Sequence, residues 1–276
     1  MRRALGQRLR LGVSRVAVSL LLTSRWGNGP ITVLAEQSYA DSADDQQAAL
    51  ATALGTLCGG GHYAGWPLSV VLSDDLARLW HITPPPETVH LADIQAAAAF
   101  RFQSLYGESL GAWTMAADWD ARQPFLAAAV PRDLLALLQA SAEEHKLALV
   151  SVTPHFIDAW NGWCGALKAG AWFGVIHDQL LTIGAIQDKR LCAVRVIPLA
   201  QLVDHDWLTH ILTREALLLD INVPTLLQVC GSAPPSLCQV VTNSSNVACL
   251  AFAPTPHTDN AALSVASQLA LGGGTA

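Results

Sequence analysis

The chain has 276 residues, enough for one large or two medium domains at about 100–200 residues each. Hydrophobic residues make up 51% and charged residues 14%, against a usual charged share of roughly 25%, so the chain is globular and leaves apolar surface for a partner. A net charge of −6, with no long Lys/Arg cluster beyond the first residues, leaves little from which to build a phosphate-tracking surface, and this excludes a nucleic-acid-binding role.

The first residues imitate a secretory signal: arginines up to Arg10, an apolar run from Leu11 to Thr23, and Ser38-Tyr39-Ala40 as a small-residue cleavage site. Arg15 interrupts the apolar run, and the alternation of Val16, Val18 and Leu20 before the turn-rich Gly27-Asn28-Gly29-Pro30 fits strands instead. The expectation is therefore a cytoplasmic chain. Nowhere do about 18 consecutive apolar residues occur, so no membrane span is expected.

Leu9 to Ser14, Arg15 to Ser24 and Ile31 to Tyr39 read as three consecutive strands of an antiparallel meander. A helix follows, opened by Asp44 and Asp45, striped by Leu50, Ala51 and Leu54, and stopped at Gly59-Gly60-Gly61. Leu68 to Leu72 and Ala77 to Ile82 return to strand and end at Pro84-Pro85-Pro86. Ser73-Asp74-Asp75 between them reads as a helix or turn cap. The alanine-rich segment Asp93 to Tyr106 is helical and stops at Gly107, and two strands follow, Trp113 to Trp119 and Phe125 to Val130. Pro131-Arg132-Asp133 opens a periodic helix that closes near His145-Lys146, and Leu147 to Val152 reads as a buried strand.

From Pro154 the pattern begins again. A helix (Phe156 to Leu167) leads into a second meander, Trp172 to Ile176, Leu180 to Ile186 and Leu191 to Ile197. A helix carrying Trp207, Leu208, Ile211, Leu212, Ala216 and Leu219 precedes an apolar strand from Leu226 to Cys230. Three strands, a helix and a strand thus occur twice, which implies two similar lobes built by internal duplication. Past Pro254 the residues are small and polar, and that tail is expected to lack fixed structure. The six cysteines lie scattered, mostly in apolar runs, and read as small buried hydrophobes; Cys58 and His62 are the nearest approach to a metal pair.

Several stretches narrow this plan. Phe125-Leu126-Ala127-Ala128-Ala129-Val130-Pro131-Arg132-Asp133-Leu134-Leu135, then a helix, then Leu147 to Pro154, resembles the strand, "A-P-K-E-L" helix and "V-E-P" strand end of the PilM/GspL branch of actin-like proteins. Val70 to Asp74 followed by Leu79 to Pro85, with the helix Asp93 to Phe102 after it, matches that branch's next signature in the same order. The resemblance spans roughly Leu9 to Gly231. It implies an α/β, actin-like (ribonuclease H-like) two-lobed fold with mixed sheets and an inserted α+β subdomain. The implied limits are 1–83 for the first lobe, 84–147 for the insertion and return, 148–253 for the second lobe and 254–276 for the tail.

Actin-like ATPases hold phosphates in two hairpin turns, each with an Asp-x-Gly whose carboxylate orders the Mg²⁺ shell. At the corresponding positions this chain has Arg10, Gly12 and Ser14 in the first hairpin, His177 and Asp178 in the second, and Gly231-Ser232 at the adenosine-side strand end, so the motif is degenerate at all three. Arg10, Arg15 and the Gly12 turn could meet an anion, though the arginines read first as hairpin residues on a solvated edge; His177-Asp178 could be an acid/base pair, though it reads first as a plain turn. The expectation is a protein that is not an enzyme, with no cofactor and no metal. The resemblance further implies a scaffold of a type IV pilus or type II secretion inner-membrane platform. Its partner would be the cytoplasmic tail of a PilN-like membrane protein, with self-association as a further partner reading. The expected contact surface is the inserted subdomain, around the helix Asp93 to Tyr106 and the strand Trp113 to Trp119, at Arg101, Phe102, Tyr106 and Trp113, with Phe100 a further aromatic anchor. The alternative is an ATP-binding actin-like enzyme, an ATPase or small-molecule kinase, that keeps nucleotide despite the missing carboxylates.

Overall fold

A computed structural model describes residues 6–24, 29–40, 46–61, 63–86, 90–199, 203–238, 247–252 and 263–273. Its first strands are the meander, β1 (Gln7–Val13), β2 (Ala17–Ser24) and β3 (Thr32–Ser38), in antiparallel register with Leu11 opposite Leu20 and Leu20 opposite Ala35. Helix α1 (Gln46–Gly59) buries Leu50, Ala53, Leu54, Leu57 and Cys58; the acidic start read at Asp44 and Asp45 lies outside the described residues. The β4 strand (Pro67–Leu72) then pairs parallel to β1.

Further along, Pro131 ends a strand and does not open the following helix, because the ladder still holds it opposite Trp113. Helix α3 (Arg132–Glu144) buries Leu134, Leu138 and Ala142 at four-residue spacing. It leads to β8 (Ala148–Pro154), which joins β4 in parallel. The first sheet has the order β3-β2-β1-β4-β8. β8 is the edge strand of this sheet, and its Val150 is 66% exposed where the sequence suggested a buried strand. Helix α4 (His155–Trp163) follows, and these elements with the C-terminal residues make one compact unit of Met1–Leu76, Arg132–Gly165 and Ala253–Ala276.

The second unit comprises Ala77–Pro131 and Ala166–Phe252. Its main sheet is built from β9 (Ala171–His177), β10 (Leu180–Gln187), β11 (Arg190–Pro198), β12 (Leu226–Gly231) and β13 (Ala248–Ala251), in the order β11-β10-β9-β12-β13. Helix α5 (His205–Leu219) starts where the Asp204 carboxylate accepts from the Trp207 backbone N–H, and it buries Leu208, Ile211, Leu212 and Ala216 against Trp172, Ile183 and Leu227. The insertion contributes a smaller antiparallel sheet, β5 (Arg78–Ile82), β6 (Trp113–Ala117) and β7 (Phe125–Pro131), in the order β5-β7-β6. Helix α2 (Leu91–Tyr106) packs Ile94, Ala98 and Phe102 on it.

Three limits differ from those read in the sequence. The insertion begins at Ala77, not at residue 84, because β5 already pairs with β7. Both β8 and α4 belong to the first unit, so the second lobe does not begin at residue 148. The expected structureless tail contains α6 (Val265–Leu271), closed at its start by the Ser264 hydroxyl, which accepts from the Ser267 backbone N–H at 3.1 Å.

Candidate functional site

The first hairpin is the place where a phosphate-binding actin-like protein would hold its ligand, and here helix α6 lies against its strands. Side chains alternate along β1, so Leu9, Leu11 and Val13 point to one face while Arg10 and Gly12 point to the other. On that second face a Cβ at Gly12 would stand 2.6 Å from the Ala270 backbone nitrogen and 3.0 Å from the Ala266 carbonyl. Glycine is therefore required by the close approach of a helix. Ser19, opposite Gly12 on β2, shares a 2.8 Å hydrogen bond with Ser267 of α6, and Ser267 in turn donates to the Glu36 carboxylate on β3 at 2.9 Å.

Arg10 is 7% exposed, not on a solvated edge. Its Nε donates to the Ala270 carbonyl at 2.8 Å, and one Nη to the Asp158 carboxylate at 2.7 Å. A guanidinium so buried needs both charge neutralisation and donors satisfied, and α4 with the C-terminal end of α6 supplies them. The Ala270 carbonyl is one of the last of its helix, where the macrodipole presents its negative end to a cation. Ser14 closes the hairpin turn: its hydroxyl accepts from the Ala17 N–H at 3.1 Å, and its carbonyl accepts from the Tyr39 hydroxyl. Arg15, on the exposed tip, donates to Asp75 at 2.6 Å. Asp74, read as a local helix or turn cap, instead reaches a distant helix: its carboxylate accepts from the Phe156 N–H at 2.9 Å in the first turn of α4.

In the second hairpin His177 is buried at the end of β9, while Asp178 is exposed in the turn with a left-handed φ of 52°. His177 is thus the last residue of the buried strand, and the two-residue turn begins at Asp178. Gly231, ending β12, has φ 93°, and a Cβ there would fall 1.9 Å from the Ile176 carbonyl oxygen. Its small size and left-handed backbone fit β12 against β9, and Ser232 follows, exposed. Among the described residues no group of three or more His, Cys, Asp or Glu is placed to hold a metal ion, and His62 lies outside them. Burial pushes the Cys58 thiol up to about 11, as suits an inert core residue. Not every cysteine is buried, since Cys164 is exposed.

The four surface residues expected on the insertion separate. Arg101 is exposed on α2. Phe102 is fully buried, with its ring 5.1 Å from Trp80 and 5.7 Å from Trp113, so it is a core residue and not an anchor for a partner. Trp113, 9% exposed, closes the same cluster under the Arg78 guanidinium, 5.0 Å from its ring. Tyr106 is partly buried, its hydroxyl donating to the Leu79 carbonyl at 2.8 Å, and Trp119 packs on Phe125. The reason is helical spacing: positions 94, 98, 102 and 106 form one row facing the sheet. Phe100, two residues off that row, is 75% exposed.

Residues that the sequence reading passed over complete the first site: Asp158, Ala270, Ser267 and Glu36. A signal for α6 was present in Ser264 before an apolar run and Gly272 after it.

Two five-stranded sheets of like order, each a meander flanked by parallel strands, with a three-stranded sheet inserted, make this a mixed α/β protein of the actin-like ATPase fold. A crystal structure from Bacteroides thetaiotaomicron described as having that fold and unknown function superposes with TM-score 0.63 at 11% identity, over 96% of this chain and 95% of that one. More particularly, two further solved structures share this fold. One is in the PilM-PilN type IV pilus biogenesis complex, with TM-score 0.64 and 16% identity over 96% of this chain and 94% of that chain. The other is the cytoplasmic domain of EpsL, an inner membrane component of the type II secretion system of Vibrio cholerae, with TM-score 0.58 and 12% identity over 96% and 92%. No protein-family model matches the sequence, and no curated protein matches it. No helix among the described residues is long and apolar enough to cross a membrane.

Proposed function

We propose that the chain is a non-catalytic scaffold of a type IV pilus or type II secretion inner-membrane platform, stationed at the cytoplasmic face by binding the cytoplasmic tail of a PilN-like membrane protein. The observation that carries this reading is the use of the first hairpin. Arg10 and Gly12 are taken up by Asp158 and α6, so the groups that would meet a Mg²⁺-phosphate are occupied within the protein. Phosphoryl transfer depends almost wholly on positioned charge around the phosphates, and an arginine in place of the metal-ordering carboxylate removes its first requirement. The likeness in fold to PilM, solved with PilN, and to an inner membrane component of a secretion system supports the choice of machine. The surface proposed for the tail is the inserted subdomain, where Arg101 is exposed on α2.

The test is isothermal titration of the cytoplasmic segment of a PilN-like protein into the full chain. Saturable binding in the micromolar range or tighter is expected, together with no phosphate release from Mg-ATP. Absence of binding, joined to Mg²⁺-dependent turnover lost in Asp178→Ala, would overturn the reading.

A further inference from the structure

Within the second unit, α2 and β11 flank a groove of about 440 Å³, open to solvent. One wall is the row of α2 beside its core row, Ala97, Arg101 and Leu105 at four-residue spacing, with Phe100 on the rim. The opposite wall is the end of β5, at His81 and Ile82, and the edge strand β11, at Ala193 and Arg195; Leu219 of α5 closes one end.

The lining mixes apolar side chains with Arg101, Arg195, His81, Thr83 and Cys192 and contains no Asp or Glu. Among the described residues Arg101 has no carboxylate partner. Arg195 lies 3.5 Å from the Glu215 carboxylate, but that same carboxylate is held by Arg214 at 2.7 Å, so two guanidiniums share one charge. Burial, and then the Arg101 cation, hold the His81 imidazole below its ordinary range, so at neutral pH the charge presented is that of the arginines. In a chain whose net charge is −6, such a place is complementary to the opposite sign. The volume suits one large apolar side chain and a neighbouring carboxylate. Phe100 and Leu105, 75% and 39% exposed, extend the apolar rim.

We infer that the groove between α2 and β11 is a docking site for a short acidic–apolar segment of a protein partner, one bulky apolar side chain entering it and an adjacent Asp or Glu pairing with Arg101. This rests on the scaffold reading and names the chemistry of a segment it captures. Arginine forks take carboxylates bidentately, and an apolar anchor in a desolvated pocket carries most of the energy of such contacts.

The experiment pans a phage-displayed random peptide library on the full chain and measures enriched peptides, fluorescein-labelled, by polarisation. Peptides joining Asp or Glu to Leu, Phe or Trp are expected. They should lose tenfold or more in affinity for Arg101→Glu and for Phe100→Ser, both exposed positions whose thermal unfolding stays unchanged. Exchanging the peptide's acid for Lys should restore affinity toward Arg101→Glu. Enriched peptides without acid, binding indifferent to Arg101→Glu, or no enrichment would each overturn the assignment. So would concentration-dependent self-association abolished by the same variant, since the occupant would then be a second copy. The scaffold reading is separated by the tail titration: a tail that binds wild type and Arg101→Glu alike leaves that reading standing and removes the groove, whereas a tail that binds neither removes the scaffold.

Discussion

The two five-stranded sheets repeat one order with opposite interiors. In the first, β1 presents Arg10 and Gly12 to α6; in the second, β9 presents Trp172 and Gly174 at the matching places, each glycine parallel-paired to a valine, Val71 or Val229. Arg10 takes an ion pair and a helix-end carbonyl, whereas Trp172 is 1% exposed in an apolar cluster with Leu208 and Leu227. A shared topology fixes where side chains point but not what they meet, and a covering helix turned one copy of the position polar. What each glycine avoids also differs: backbone atoms of α6 at Gly12, but the side-chain Cγ1 of Val229, at 2.8 Å, at Gly174.

The largest effect expected is at the strand end unique to the second sheet. Gly231→Ala adds a Cβ into the Ile176 carbonyl and a side chain at positive φ, and should destabilise the chain by on the order of 3–5 kcal/mol in urea unfolding. Next, Gly12→Ala should cost about 3 kcal/mol because a helix backbone cannot turn aside, while Gly174→Ala should cost about 1 kcal/mol because a valine can shift. Equal losses would erase the contrast between the sheets.

Asp158→Ala leaves Arg10 buried without its carboxylate; as the Asp158 side chain is 26% exposed, the loss should fall below that of a fully buried pair, at about 2 kcal/mol. The double variant Arg10→Met with Asp158→Leu should regain most of it, making the first sheet resemble the second. A double variant no better than Asp158→Ala alone would show that the α6 carbonyl, not the carboxylate, dominates. At the hairpin tips the sheets should converge. Arg15→Ala, breaking a pair whose arginine side chain is 44% exposed, should cost under about 1 kcal/mol. Asp178→Gly should stay within about 0.5 kcal/mol, since glycine accepts its positive φ.

Alternating strands made both meanders legible, and the duplicated order followed from them. The last strand and last helix were passed over: β13 has four residues at a sheet edge, and α6 is seven residues long with Leu269 its one large buried side chain, so the Ser264 and Gly272 caps were its chief signal. Arg10 could not be placed from sequence because its partners stand 148 and 260 residues away, and a charged residue in a hairpin is ordinarily a surface residue. On α2 composition named Phe100, Phe102 and Tyr106 together as anchors and could not separate them, and Phe102 proves to be core. Phe100 and Phe102 are chemically alike, and only the four-residue row through Ile94 and Ala98 decides which is buried.

If the hairpin residues serve packing rather than phosphate binding, hydrogen exchange of the full chain should be the same with and without saturating Mg-ATP. Unchanged protection of the amides in the β1–β2 and β9–β10 turns, with no heat on calorimetric titration, is the predicted result; saturable Mg²⁺-dependent binding that slows exchange at Ser14 and Asp178 would contradict it.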